Sequence, residues 1–336
     1  MNKINKKIII GFSIGDYNGI GPEILLKSFH KSDLFKQCVP VIFCDEEILN
    51  FYSNKLNLKI SVEDIKDIDE VNESNSFYCF KVDPENIKIN PGKIDKIAGS
   101  YSIKSLDNCS DALMNKSIDG MVTLPICKIN SQNTRFPFPG HTEYFIKKFD
   151  VNNNIMIMHS NLMNIGFITG HIPLNSILSK LSEDYIEKKM IIYLNSLIKD
   201  FKIKHPKIAV LGLNPHAGEE GLIGNDEIKT INPILKKLNK NQEIFHGPFS
   251  SDSFFGLQKF KNFDGIISWY HDQGLVGFKS FSFDLGVNFT GGLPYVRTSP
   301  DHGTAFNIAG KGVANERSLV ESIKLNIKII NNRKFR

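Results

Sequence analysis

The chain is predicted to be an α/β protein with a largely parallel sheet, built as two α/β/α lobes and lacking a Rossmann fingerprint. Three observations carry this expectation. Short apolar runs bounded by Gly, Pro and Asn alternate with helical spacings for most of the length. The 336 residues suffice for two domains. No Gly-x-Gly-x-x-Gly follows a strand with an acid about 20 residues later, and the glycines of Gly15-Asp16-Tyr17-Asn18-Gly19-Ile20-Gly21-Pro22 have neither that spacing nor the Lys of a phosphate loop.

Buried strands are expected at 7–13, 40–44, 77–82, 120–123, 154–158, 164–168, 207–213, 264–269 and 286–290. Helices are expected at 21–30, 98–115, 143–149, 183–200, 226–238 and 316–330. Pro22 suits the first turn of the helix after Gly21. Thr142 and Asp226 are placed to act as N-caps of the helices they precede. The charged, Asn-rich stretch 45–91 reads as a peripheral α/β segment. The Pro/Gly-rich segment 135–140 reads as a crossing between lobes, with a second crossing after His271. The expected lobes are therefore 1–135 with 275–336, and an inserted middle lobe of 136–274.

Composition narrows the class. With 41% hydrophobic and 23% charged residues the chain reads as an ordinary soluble globular protein. No apolar run approaches the roughly 20 residues that cross a bilayer, and the basic start leads into Ile8-Ile9-Ile10-Gly11, too short for a signal-peptide core. The cysteines Cys38, Cys44, Cys79, Cys109 and Cys127 form no CxxC pair and read as reduced thiols of a cytoplasmic enzyme. The net charge of +5 is dispersed rather than gathered in a stripe, which argues against nucleic acid as a partner.

Three histidines carry the most chemistry. His171, His216 and His271 each sit in a turn sequence directly after an expected strand. Loops after parallel strands gather at one sheet edge, where three imidazoles can hold a divalent metal and leave a position open for substrate. The alternative is three turn histidines that hydrogen-bond loop carbonyls. Asp272 is either a ligand, an orienting partner for an imidazole, or a turn former. Anion handling is expected at Gly140-His141-Thr142-Glu143, a helix start with free backbone N–H groups, and from Lys279, Asn288 and Arg297. Arg297 is expected in a turn, able to grip an oxyanion with two prongs. The alternatives are an ordinary capping box at 140–143 and plain surface residues at Lys279, Asn288 and Arg297. The small-residue segment 299–312 lets backbone approach a ligand closely, or is simply a tight loop.

Taken together the motifs resemble the 4-hydroxythreonine-4-phosphate dehydrogenase family of vitamin B6 biosynthesis, from about Ile10 to Gly312. The most specific pieces are Gly19-Ile20-Gly21-Pro22-Glu23, Gly140-His141-Thr142-Glu143, Leu213-Asn214-Pro215-His216-Ala217-Gly218-Glu219, Tyr270-His271-Asp272-Gln273-Gly274 and Arg297-Thr298-Ser299-Pro300-Asp301-His302-Gly303-Thr304. The resemblance implies an isocitrate/isopropylmalate dehydrogenase-like fold, with metal ligands His171, His216 and His271 and substrate contacts from His141, Thr142, Lys279, Asn288 and Arg297. It implies an NAD or NADP site on the loop of His302, Gly303, Thr304, Ala305, Asn307, Ala309 and Gly310. It further implies a divalent metal (Zn, Mg or Co), a homodimer whose subunits share the active site, and metal ligands and dimer contacts in the middle lobe. The implied reaction is oxidation of 4-phosphooxy-L-threonine to 2-amino-3-oxo-4-phosphooxybutanoate, which decarboxylates to 3-amino-2-oxopropyl phosphate. The rival within the family is a D-threonate or D-erythronate 4-phosphate dehydrogenase. The chain departs from the family pattern at Tyr17, Asn18, Cys127, Gly291 and Asn307, which touches loop shape and cofactor preference but no implied metal or substrate position.

Overall fold

The computed structural model describes residues 7–82, 87–132, 136–138, 140–151 and 153–334. The basic start at 1–6, and Arg135 and Pro139 of the expected lobe crossing, lie outside them. In chain order the strands are β1 (Ile8–Ser13), β2 (Cys38–Phe43), β3 (Ser61–Ile65), β4 (Ser76–Phe80), β5 (Gly120–Thr123), β6 (Ile155–His159), β7 (Asn164–Phe167), β8 (Ile208–Leu211), β9 (Phe245–Phe249), β10 (Gly265–Ser268), β11 (Val287–Gly291) and β12 (Arg297–Pro300). The helices that matter below are α1 (Gly21–His30), α2 (Lys96–Met114), α3 (His141–Lys148), α4 (Glu183–Lys199), α5 (His271–Ser282) and α6 (Arg317–Lys334).

The chain divides into two compact units, Met1–Asp150 with Pro294–Asn331, and Val151–Leu293 with Asn332–Arg336. The boundaries thus fall at 150 and 294, where the sequence suggested 135 and 274. The shift moves α3 into the first unit and places α5 and β11 in the second.

The first unit holds β3-β4-β2-β1-β5-β12 in that order, and every pairing is parallel. β1, β2 and β5 are buried at every residue, the signature of parallel strands covered on both faces. Pro22 does occupy the first turn of α1. Asp95 caps α2, its Oδ1 accepting from the Ile97 and Ala98 N–H groups at 2.7 and 3.2 Å. From α6, buried Asn326 donates through Nδ2 to the Met121 carbonyl at 2.8 Å and to Thr298 Oγ1 at 3.1 Å, pinning β5 to β12.

The second unit holds β11-β6-β7-β10-β8-β9. Here the sheet is mixed: β6 runs antiparallel to both β11 and β7, while β7, β10, β8 and β9 are parallel. The antiparallel turn comes from a four-residue reversal in which Ser160 Oγ accepts from the Leu162 and Met163 N–H groups. Tyr193 of α4 is wedged under the parallel part. Its hydroxyl donates to the Asn164 carbonyl at 2.8 Å and accepts from the Ile266 N–H at 3.1 Å, bridging β7 and β10. Gly166 leaves room for that ring, since a Cβ there would meet it at 2.7 Å.

Three strands escaped the sequence reading for identifiable reasons. β3 is an edge strand, mostly exposed and carrying Glu63 and Asp64. β9 is also an edge strand and is interrupted by Gly247-Pro248. β12 is the short polar run Arg-Thr-Ser-Pro. Both expected caps also differ: Gly140 rather than Thr142 is the N-cap of α3, and Asp226 makes no side-chain cap to the turn it precedes.

The Tyr193 wedge makes a stability prediction. Tyr193→Phe strands the Ile266 N–H and costs about 1–3 kcal/mol; Gly166→Ala overpacks the same contact at a cost of about 1–3 kcal/mol. Urea unfolding of the two single variants and the double variant should show strong non-additivity, because both act on one ring.

Candidate functional site

The histidine edge is assembled by the parallel strands of the second unit. His171 follows β7, His271 follows β10 and His216 follows β8, and these three strands are neighbours in the order β7-β10-β8. All three imidazoles therefore leave from the same sheet edge. His171 and His271 meet there, with ring centroids 4.9 Å apart. Their turns are tied together: the Thr169 hydroxyl and N–H both donate to the Trp269 carbonyl, at 2.6 and 3.1 Å. His271 does not sit in a free turn, as expected, but is the first residue of α5. Asp272 Oδ1 lies 2.6 Å from His271 Nδ1, which leaves Nε2 to face outward.

Gln273 links this pair to the strand that carries His216. Its Oε1 accepts from the Trp269 N–H at 2.8 Å, and its Nε2 donates to the Gly212 carbonyl at 2.6 Å and to Ser251 Oγ at 2.9 Å. Buried Trp269 reinforces the link by donating to the Leu211 carbonyl. His216 itself opens a left-handed turn: φ is 52° at His216 and Ala217, 83° at Gly218, 42° at Glu219 and 52° at Glu220. Such a conformation costs about 1–2 kcal/mol for each residue with a Cβ, so the surroundings must hold it. Buried Glu227 does so from inside the turn, accepting from the Leu213 and Asn214 N–H groups, each at 2.8 Å, and from Asn214 Nδ2 at 3.0 Å.

His216 and Asp252 line one 860 Å³ cleft, and Asp252, Tyr270 and Asp272 line a neighbouring 530 Å³ one. The Ser250 hydroxyl, then the Ser253 N–H, hold Asp252 below its ordinary range. Among the described residues no group of three or more His, Cys, Asp or Glu closes around a single point. The donor chemistry nonetheless suits a divalent ion: two imidazoles side by side, one of them oriented by a carboxylate. Lys279 lies on α5 with its Nζ 5.8 Å from the Phe283 ring centre, and Asn288 lies on β11 with a buried Oδ1 that no described residue satisfies.

The first unit supplies a buried cation. Arg297 is not in a turn, as expected, but begins β12, 2% exposed, because its register opposite Met121 directs the guanidinium onto Thr123. Thr123 Oγ1 accepts from Nε at 3.1 Å and Nη2 at 2.6 Å, and the Phe145 ring lies 5.4 Å from the guanidinium carbon. Burial draws Arg297 down to about 9, with the Glu143 charge opposing, so it remains a cation at neutral pH. His141 stacks on the same Phe145 ring at 6.3 Å. Its Nε2 is enclosed and has no partner among the described residues. Burial, then the Arg297 and Lys128 charges, hold the imidazole far below its ordinary 6.5, that is, neutral. Thr142 sits one residue further into the first turn of α3, whose outward N–H groups favour an anion.

The loop 302–312 packs on the motif after β1. The Thr304 carbonyl accepts from the Ile20 N–H at 2.9 Å, and Gly19 permits that approach, since a Cβ would meet the same oxygen at 2.9 Å. Ala305, Gly310 and Gly312 take φ of 41°, 70° and 77°, which only a tight turn explains. A Cβ built on Gly303 would meet nothing within 4 Å, Asn307 is exposed and Ala309 buried, while His302 Nε2 is enclosed. The residues that the sequence reading passed over, Thr123, Phe145, Thr169, Trp269, Gln273 and Glu227, all hold other site residues in place. The sequence signal for Gln273 is its place in Tyr270-His271-Asp272-Gln273-Gly274.

Comparison with known proteins identifies the family. The family model for the pyridoxal phosphate biosynthetic protein PdxA matches residues 36–326. A relative from Bacteroides thetaiotaomicron, named 4-hydroxythreonine-4-phosphate dehydrogenase, is 37% identical over 328 residues, covering 97% of this chain and 90% of the relative. The crystal structure of the Klebsiella pneumoniae protein of the same name superposes with a TM-score of 0.83 at 30% identity, covering 98% of this chain and 99% of that one. A Clostridium botulinum relative, provisionally named D-threonate 4-phosphate dehydrogenase, is 32% identical over 329 residues, 97% of this chain and 98% of the relative. No helix among the described residues is long and apolar enough to cross a membrane.

The environment of His141 gives a pH prediction. The unfolded chain takes up a proton near 6.5 while folded His141 stays neutral, so this group lowers stability as pH falls through that value. Arg297→Gln removes one of the two charges and should raise the His141 pKa, read by NMR titration of the imidazole. An unmoved titration would exclude electrostatic coupling of the two.

Proposed function

This chain belongs to the PdxA family of pyridoxal phosphate biosynthetic proteins, and from that premise we propose that it oxidises 4-phosphooxy-L-threonine with NAD or NADP to 2-amino-3-oxo-4-phosphooxybutanoate. That β-keto acid loses carbon dioxide to give 3-amino-2-oxopropyl phosphate. The meeting of His171 and His271, at the edge to which His216 is also delivered, carries the reading. We assign the three imidazoles to a divalent metal (Zn, Co or Mg), in a homodimer whose subunits complete one another's sites. When bound, the ion supplies Lewis acidity at the C3 hydroxyl and the nicotinamide supplies the hydride acceptor.

The chain's own residues hold and orient the substrate. Arg297, fixed by Thr123, presents a desolvated cation to a phosphate or carboxylate oxygen, where such a charge acts most strongly. His141 and Thr142 offer neutral hydrogen bonds beside it, the imidazole adding no second charge. Lys279 and the unsatisfied Asn288 carboxamide serve the remaining polar groups. The loop of His302, Gly303, Thr304, Ala305, Asn307, Ala309 and Gly310, exposed at Gly303 and Asn307, takes the nicotinamide coenzyme.

A second reading rests on the Clostridium botulinum relative: the same site acting on D-threonate 4-phosphate. Turnover of both substrates followed at the NADH band, with and without chelator, separates the two. The first reading expects a preference for the amino substrate and loss of turnover on chelation. His171→Ala should abolish metal-dependent turnover while keeping the fold. Arg297→Ala should raise substrate KM by roughly 10- to 100-fold, the worth of a charged hydrogen bond, and leave coenzyme KM near its original value. Equal substrate KM in that variant would remove Arg297 from the binding site.

A further inference from the structure

We infer that Glu227 is a positioning residue for His216: its buried carboxylate holds the left-handed turn that aims this imidazole at the metal. The inference rests on the metal assignment above. Three donors converge on the carboxylate from the residues just before the histidine, the Leu213 and Asn214 N–H groups and Asn214 Nδ2. Glu227 is 2% exposed and lies inside the turn, with Oε2 only 2.6 Å from where a Cβ on Gly218 would stand. Gly218, at φ 83°, is therefore the residue whose missing side chain admits the carboxylate. Five successive residues in the left-handed region, four of them bearing a Cβ, do not hold that shape unaided.

The pattern of donors makes a carboxylate necessary. Asn214 Nδ2 donates to Asp226 Oδ2 at 2.9 Å as well as to Glu227 Oε2. In Glu227→Gln an amide nitrogen faces that donor, and flipping the Asn214 carboxamide to accept from it sets Oδ1 against the Asp226 carboxylate. A second substitution, Asp226→Asn, removes the conflict: the flipped Asn214 oxygen then accepts from both new amides. The pair thus has a chemical rescue that depends on hydrogen-bond polarity and not on side-chain volume.

The test is calorimetric titration of Co²⁺ into the metal-free full-length protein, well below its melting temperature, beside thermal melts. Glu227→Gln should weaken Co²⁺ binding by about 10- to 100-fold, the range for residues that orient metal ligands, and Asp226→Asn/Glu227→Gln should recover most of it. If Glu227→Gln alone is unfolded, the double variant carries the test. Affinity equal to that of the original protein in Glu227→Gln, with no binding in His171→Ala, overturns the role of Glu227 and leaves the metal site standing. Undiminished binding in both overturns both. A double variant that folds but binds as weakly as Glu227→Gln also overturns the inference.

Discussion

The histidine edge depends on the parallel pairing of β7, β10 and β8. Parallel strands must all end on one side, so three turns that follow them are delivered together whatever their distance in sequence. Pairing alone places backbones; it does not aim side chains. That second task falls to polar groups that reach from one turn to the next: Thr169 onto Trp269, Trp269 onto Leu211, and Gln273 onto Gly212. Each closes a backbone group that the end of a strand would otherwise leave without a partner. The same hydrogen bonds therefore satisfy the sheet edge and set the spacing of the imidazoles.

Arg297 illustrates the other constraint on the molecule, that a buried charge needs a specific environment. In the first unit the hydroxyl of Thr123 accepts from the guanidinium and the Phe145 ring lies against it. These contacts hold the side chain in one geometry. His141, stacked on the same ring, is kept neutral by burial and then by the Arg297 charge.

Much of this was legible in the amino-acid sequence. Continuous apolar runs such as Ile8-Ile9-Ile10 and Ile266-Ile267 announce strands covered on both faces, and the histidines after them announce the edge. What escaped was structure whose cause is tertiary. β3 and β9 are edge strands, half-solvated and without an apolar signature, and β12 is a polar run that contributes Arg297 itself and the Thr298 hydroxyl that accepts from Asn326. The antiparallel course of β6 is decided by the Ser160 turn, which hydrophobic periodicity cannot report. The supporting residues were invisible for a similar reason. A Gln, a Thr and a Glu among many others acquire meaning only once the turns they join lie side by side.

The division of the chain carries a consequence for synthesis. The first unit begins at the N-terminus, yet its sheet is closed by β12 and its β5–β12 seam is locked by Asn326, both from the last part of the chain. All six strands of the second unit lie between 155 and 291. During vectorial synthesis the inserted unit therefore has its full complement of strands first, and the flanking unit waits with an open edge at β5. The unit that starts earliest is the last that can be finished, and its apolar parallel strands are the part of the nascent chain most in need of protection in the interval.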